Sequence, residues 1–453
     1  MRHADPNALP GWLLLIVGAV VVALTLRSQP HRLLILDLIL VLFPGGWTVA
    51  GILVNPTDIV FVGIAVMLLR RRDWKAEVPL LRLWILLGVL QSLAYVHAPH
   101  NHQYLTDPLR ATYQLYRYCW KPILYYPICV ILLADKRRPL AQVILSLLIV
   151  ADITSVQGIA QGLDGLRASG PFDGTNALGG ALVTPLLLAS LFLVRGDVGG
   201  SRLFYGVSTL LMVRALIFSN SRGAFVATLV GALLCAAGLL TTARGRGMVF
   251  RTAGAGVLLV FLLLAVRPDA LEGPNVQRLT TVTAGTEVGN FQWRREKRWP
   301  FFWKKVKDNP LFGVGTEVDF ALGPDMNTPH NGYLALALVH GIPAASLFLI
   351  FALLAMKAGV RAFRRSRDAW ERAFGLGAGA SLLGLLVHNV VDATLLMPFV
   401  ASLFWMLVAA TLTARRREAA PVSEREPVRS SRSVRGAARR RSGADLRLAR
   451  RTP

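Results

Sequence analysis

The sequence predicts an all-α fold, a polytopic membrane helix bundle of about 12–13 transmembrane helices with one large external loop. Three observations lead there. Hydrophobic residues make up 54% of the 453-residue chain and charged residues only 17%, less charge than soluble domains carry. Apolar runs of about 20 residues, the length that crosses a bilayer, recur along the chain. Connections rich in Arg and Lys alternate with poorly charged or mixed ones, as in a protein with one cytoplasmic face.

Taken in order, the spans are predicted at 11–26, 33–53, 56–70, 79–97, 119–134, 139–160, 176–194, 202–219, 222–241, 249–266, 331–356, 373–394 and 398–414. Residues 11–26 lack the basic leader and small-residue cleavage site of a signal peptide, so they are read as a retained span. Basic connections at 27–32, 70–75, 135–139, 244–247 and 357–372 define the expected cytoplasmic side. The connections 98–118, 162–175, 219–222, 267–330 and 388–397 then face outward, which in a Gram-negative cell means the periplasm. Thirteen spans ending in the cytoplasm place the N-terminus outside, unless 11–26 or 56–70 is re-entrant.

The net charge of +24 belongs mostly to this topology. Residues 415–453 hold thirteen Arg and four Asp or Glu, a net of +9, with few apolar side chains. They read as a disordered cytoplasmic tail that touches anionic headgroups. No nucleic-acid-binding module is visible. Cys119, Cys129 and Cys235 show no CxxC spacing and suggest neither a disulfide framework nor a zinc site.

The loop 267–330 carries nine Lys or Arg and eight Asp or Glu. A connection this long is commonly functional. Its stretch "NFQWRREKRWPFFWKKVKDNP" interleaves aromatics with cations, the pattern of an amphipathic helix at a membrane interface. The loop ends at His330 in "TPHNGYLALALVHGIP". Pro329 disfavours a helical Thr328, so Thr328 or Asn327 is expected as the cap, with His330 in the first helical turn. On position alone, His330 is a capping or interface histidine or a general base.

Arg222, in "FSNSRGAFVATLVG", stands between two apolar runs on the same face. It is either a snorkelling arginine or a site residue that clamps phosphate oxygens. Arg278, Arg294, Arg295 and Arg298 are singly ordinary loop charges; with Arg222 they could build a cationic pocket for a diphosphate. Three further patterns are weaker. "GVGTE" at 313–317 lacks the P-loop Lys and hydroxyl residue. His97, His100 and His102 have no diagnostic metal spacing. His388 and Asp392, four residues apart, would share a helix face as a structural pair or a second polar patch.

With these residues in view, the chain resembles the bacterial O-antigen ligase and polymerase superfamily. The motif is His330–Asn331, nine residues from Gly332 to His340, then Gly341, two intervening residues and Ala344, where the family usually has Gly, Thr or Tyr. A second match places Arg295 four before Trp299, with Pro310, Gly313 and Gly315 following. The third is Ser221–Arg222–Gly223 at the external end of a span. The resemblance covers roughly residues 210–345, within a many-span architecture of the expected kind.

The resemblance implies transfer of a glycan from undecaprenyl diphosphate to an acceptor hydroxyl at the periplasmic face of the inner membrane. The acceptor would be lipid A–core in a ligase, a lipid-linked repeat in a polymerase, or a protein hydroxyl. No cofactor or metal is implied, because the polyprenyl diphosphate is already a leaving group. His330 would be the general base, with Arg222 and Arg295 holding the diphosphate and Arg278, Arg294, Asn331 and Trp299 contacting substrate. Displacement would invert the anomeric centre. The expected layout is N-terminal helices over 1–210, a catalytic membrane region over 211–414 and the tail at 415–453. A lipid-linked glycan flippase and an export scaffold are the rival readings. Both fit less well, since the candidate residues gather on one face.

Removal of 418–453 is expected to leave glycan transfer intact. A truncated protein that inserts correctly yet transfers nothing would overturn the assignment of the tail.

Overall fold

The computed structural model describes residues 31–40, 42, 47–49, 52–69, 78–97, 112, 115–133, 137–172, 174–195, 201–243, 245–251, 254, 294–315 and 329–419. The expected span 11–26, most of 249–266, Arg278 and the tail from 420 lie outside these residues. The described residues through Glu418 belong to one compact unit.

That unit is built almost wholly of helices. In order they are α1 (Arg32–Leu40), α2 (Pro56–Leu69), α3 (Leu81–His97), α4 (Lys121–Leu133), α5 (Arg137–Leu163), α6 (Thr175–Arg195), α7 (Arg202–Ser219), α8 (Arg222–Leu240), α9 (Trp299–Asp308), α10 (Gly332–Arg365), α11 (Ala369–Val391), α12 (Pro398–Leu412) and α13 (Ala414–Ala419). Among the described residues, α5, α6, α7, α8, α10 and α11 are long and apolar enough to cross a membrane.

Two expected spans need correction. The run 33–53 is not one helix: α1 stops at Leu40, and Trp47–Val49 (β1) pairs antiparallel with Ile52–Val54 (β2), Thr48 opposite Leu53. Pro44, Gly45 and Gly46 separate the two parts, and such residues break a helix whatever the hydropathy around them. The span beginning near 331 runs on through Lys357, Arg361, Arg364 and Arg365 to the end of α10. Lys and Arg are good helix formers, so the basic run marks a change of polarity and not a helix end.

The outer surface is that of a molecule in lipid. Leu145, Ile149, Ile153 and Val156 on α5, and Leu203, Val207, Leu210 and Val213 on α7, are exposed at helical spacing. Stripes of this kind on several neighbouring helices suit a bilayer and not water.

Helix α11 is the hub, packed against α6, α8, α10 and α12. Its small residues allow this. A Cβ on Gly375 would lie 2.7 Å from the Gly359 carbonyl of α10, and one on Gly384 would lie 3.0 Å from the Ala227 carbonyl of α8. Close backbone approach through small residues is how helices gain contact in lipid, where burial between helices brings no hydrophobic gain. Aromatic side chains fill the space between α4, α10 and α12, with Phe348 stacked on Phe404 at 4.3 Å and Trp405 edge-on to Phe351.

Both halves of the bundle bury ion pairs. Lys121 of α4 donates to Asp58 Oδ1 at 2.7 Å and to Thr57 Oγ1 at 2.8 Å on α2. At the start of α11, Glu371 receives Arg417 Nε at 2.7 Å and Nη2 at 3.2 Å, while Arg417 also donates to the Ala410 carbonyl at 2.8 Å. This fork ties α13, which directly follows α12, to the hub.

Arg417→Ala would strand the Glu371 carboxylate in the interior, with an expected cost of about 3–5 kcal/mol. Thermal unfolding in detergent measures it. Glu371→Leu combined with Arg417→Met is expected to recover most of that loss, because the buried charge then disappears with its partner.

Candidate active site

The candidate site grows from a break in α10. Gly341 has φ 81° and ψ 163° in the middle of an otherwise helical segment. Two residues on, Pro343 has no N–H, so the Val339 carbonyl loses its helical partner. The backbone at Gly341 also removes the Ile342 N–H from the Leu338 carbonyl. All three orphaned groups are satisfied by one loop, 309–315. Val314 N–H donates to Leu338 O at 2.7 Å, Gly315 N–H to Val339 O at 3.2 Å, and Ile342 N–H to Pro310 O at 2.8 Å.

This clasp explains the spaced glycines. A Cβ at Gly341 would strike the Leu311 carbonyl, and one at Gly313 would strike the Leu338 carbonyl. Gly341 also occupies a region of backbone space open essentially to glycine alone. The clasp fixes α9, which directly precedes the loop. Phe302 and Val306 of α9 are fully buried against Ala337 and Leu338 of α10, while Trp303, Lys304 and Lys307 face outward. The expected amphipathic helix is therefore present over Trp299–Asp308.

The clasp holds α9 beside the N-terminus of α10, where His330 stands. His330 has φ 47°, a left-handed conformation unusual for a residue with a Cβ. It lies outside the helix, so the expected Thr328 or Asn327 cap and first-turn histidine are corrected. The cap is Asn331, whose Oδ1 accepts from Leu334 N–H at 2.9 Å. Asn is among the best N-caps, and a left-handed His330 cannot belong to the first turn. Asn331 Nδ2 also donates to the Val390 carbonyl at 3.1 Å, and Trp299 Nε1 donates to the Pro329 carbonyl at 3.0 Å. The residues on both sides of His330 are thus anchored, one to the hub and one to α9.

The imidazole points at a carboxylate. His330 Nδ1 is 3.4 Å from Asp392 Oδ1, with the His330 side chain 30% exposed and that of Asp392 only 9%. Burial alone would raise the Asp392 carboxyl. Hydrogen bonds from His330 and the Ala393 N–H, with the nearby His388 and His330 imidazoles, outweigh burial and hold it below the usual carboxylate range. Asp392 is therefore ionised near neutral pH, and its Oδ1 can accept from Nδ1–H, the tautomer in which Nε2 carries the free lone pair. The stability this carboxylate contributes is present above about pH 4 and is lost only as pH falls through its lower folded value.

The pairing expected between His388 and Asp392 along one helix face does not form as such. The helix ends at Val391, and Asp392 is its C-cap in an extended conformation. His388 instead sets Nδ1 2.9 Å from Thr394 Oγ1, and Asn389 Oδ1 accepts from Leu395 N–H at 3.0 Å. These bonds shape the turn that presents Asp392 to His330. The partnership across 62 residues leaves no periodic trace in the sequence; the signal available was a His and an Asp beside the membrane boundary.

Arg222 comes to the same end of the bundle. It opens α8, capped by Ser221, and a Cβ on the adjacent Gly223 would lie 2.5 Å from Val391 Cγ2 and 3.0 Å from the His388 ring. The N-termini of α8 and α10, with their positive dipole ends, thus meet the C-terminal end of α11. Arg294 and Arg295 lie on the π-helical turn Arg294–Arg298 that leads into α9, but their side chains are outside the described residues, as is all of Arg278. Arg298 is buried. His97 packs its ring 5.3 Å from Phe312 in the clasp loop, while His100 and His102 lie outside the described residues. Among the described residues no cluster of three His, Cys, Asp or Glu could hold a metal.

Residues 207–349 match the family model described as O-antigen ligase. This region is similar to O-antigen ligases. It begins within α7 and takes in α8, α9, the clasp, His330 and the first half of α10, so the expected resemblance holds where its motifs lie. The matched residues lie within a bundle in which, among the described residues, six helices are long and apolar enough to cross a membrane. No curated protein matches the chain. Asp392 lies beyond the matched region and joins the site through the fold alone.

Gly341→Ala is expected to destabilise the bundle by at least about 1–3 kcal/mol from backbone strain. A fall in the detergent melting temperature larger than that of Gly247→Ala checks it. No described atom lies within 4 Å of a Cβ at Gly247.

Proposed function

We propose that this enzyme transfers a glycan from undecaprenyl diphosphate to an acceptor hydroxyl, lipid A–core or a similar glycan, at the periplasmic face of the inner membrane. The observation that carries the reading is the His330–Asp392 pair at the end of a membrane bundle, within bonding reach of an anchored interfacial helix. Asp392 orients the imidazole, and His330 Nε2 takes the acceptor proton as the hydroxyl attacks the anomeric carbon. The glycosyl–oxygen bond to the diphosphate breaks on the opposite face, with inversion. Arg222, with Arg295 and Arg278 as proposed partners, neutralises the departing diphosphate. The two helix N-termini at Ser221 and Asn331 add positive potential at the same end.

Asn331, proposed from the sequence as a substrate contact, has both ends of its amide engaged by the protein and serves first to position His330. Arg294 and Trp299 remain proposed substrate contacts. The basic run from Lys357 to Arg365 at the far end of α10 from His330, with Arg137 bonded to Asp368 beside it, supports the periplasmic assignment. Repeat-unit polymerisation uses the same chemistry with a lipid-linked glycan as acceptor. A flippase is the weaker reading, because His330, Asp392 and Arg222 collect at one end of the spans.

Purified protein, offered lipid-diphosphate-linked glycan with both lipid A–core and donor repeats in the presence of EDTA, tests the proposal. Transfer is expected, with His330→Ala slower by about 10²–10⁴-fold, the share general-base catalysis supplies. Wild-type rates in His330→Ala would make the histidine structural. The labelled product distinguishes ligase from polymerase.

A further inference from the structure

Beside His330 lies a cleft of about 330 Å³, lined among the described residues by Trp299, Pro300, Trp303, Asn331 and Leu334. Its walls come from two elements, α9 and the first turn of α10, held together by the clasp. Asn331 is its one polar wall residue among those described. That amide already donates to Val390 and accepts from Leu334, and the Trp299 indole N–H is spent on Pro329. Among the described residues the walls are therefore mostly apolar, with the Trp303 indole as the remaining polar group, although the cleft begins one residue from the candidate base. Trp303 leaves 46% of its surface exposed there, beside the outward-facing Lys304 and Lys307.

A sugar ring carries hydroxyls on nearly every carbon and would lose its hydration in such a cleft without replacement. A diphosphate would fare worse. The occupant that suits these walls is hydrocarbon, and the cations on the outward face of α9 suit an anion attached to it.

We infer that the cleft formed by Trp299, Pro300, Trp303 and Leu334 is the subsite for the first isoprene units of the donor's polyprenyl carrier, and that Trp303 sets the preference for a lipid-linked donor. This rests on the proposed transfer from a polyprenyl diphosphate. The apolar walls take the chain next to the diphosphate and align the bond that breaks with His330. Trp303 is a specificity-determining residue and takes no part in the chemistry.

The test compares two donors of one glycan diphosphate, one esterified to a full polyprenyl chain and one to methyl. For wild type, the polyprenyl donor is expected to have the lower KM. Trp303→Ala is expected to raise that KM by about tenfold, the worth of one large apolar contact, and to leave the KM of the methyl donor in place. Equal effects on both donors, or none on either, would overturn the subsite while leaving the transfer reaction standing. A second measurement is independent of turnover. A polyprenyl diphosphate bearing a diazirine on its first isoprene unit is expected to label Trp303 or Leu334 on irradiation, in wild type and in His330→Ala alike. Labelling confined to the spans α5 and α7 would overturn the inference even if no transfer were seen. Absence of transfer together with labelling at Trp303 would sink the reaction and keep the lipid site.

Discussion

Pro343 has no amide hydrogen, and much of the candidate site follows from that. Inside a membrane bundle, a backbone carbonyl left without a donor costs several kcal/mol because no water is at hand to replace it. The break at Gly341 and Pro343 orphans the Leu338 and Val339 carbonyls and the Ile342 amide together. The loop 309–315 satisfies all three. A segment that would otherwise be a free connection is thereby bound edge-on to a helix. The interfacial helix α9 is carried along with it, and α9 in turn holds the chain just before His330 through Trp299. The defect in one helix is the attachment point for the elements around the candidate site.

The same economy governs the proposed base. His330 occupies a strained left-handed conformation, which persists only where its surroundings leave no alternative. Those surroundings are Pro329, bonded to Trp299, and Asn331, bonded to both α10 and the end of α11. Asp392 reaches the imidazole because Asn389, His388 and Thr394 shape the turn after the hub helix. Residues that do no chemistry thus set where the chemistry can occur. The hub itself is stiff because Gly375 and Gly384 let three helices touch backbone to backbone, and because the Glu371–Arg417 fork pins its other end.

The membrane bundle was legible because hydropathy and charge alternation both answer to the bilayer. His330 was legible as a site because a Pro-His-Asn sequence opening an apolar run places a titratable group at a surface. The spaced glycines could be read as a motif but not explained, since their reason is a contact between 311–315 and 338–342 that no local period encodes. Asp392 was noticed for the wrong partner: spacing suggested His388, and the fold chose His330. The run 33–53 misled because its hydropathy outweighed a Pro-Gly-Gly interruption in plain view, and α10 outran its predicted end because helices do not stop where a membrane does.

The claim that the clasp organises the site is tested most directly by amide hydrogen exchange in detergent-solubilised wild-type protein, read at Val314, Gly315 and Ile342. All three amides are expected to exchange as slowly as those of the buried interior of α10, because each is bonded across the break. Exchange at the rate of an open loop would contradict the account, and α9 would then need some other means of being held beside His330.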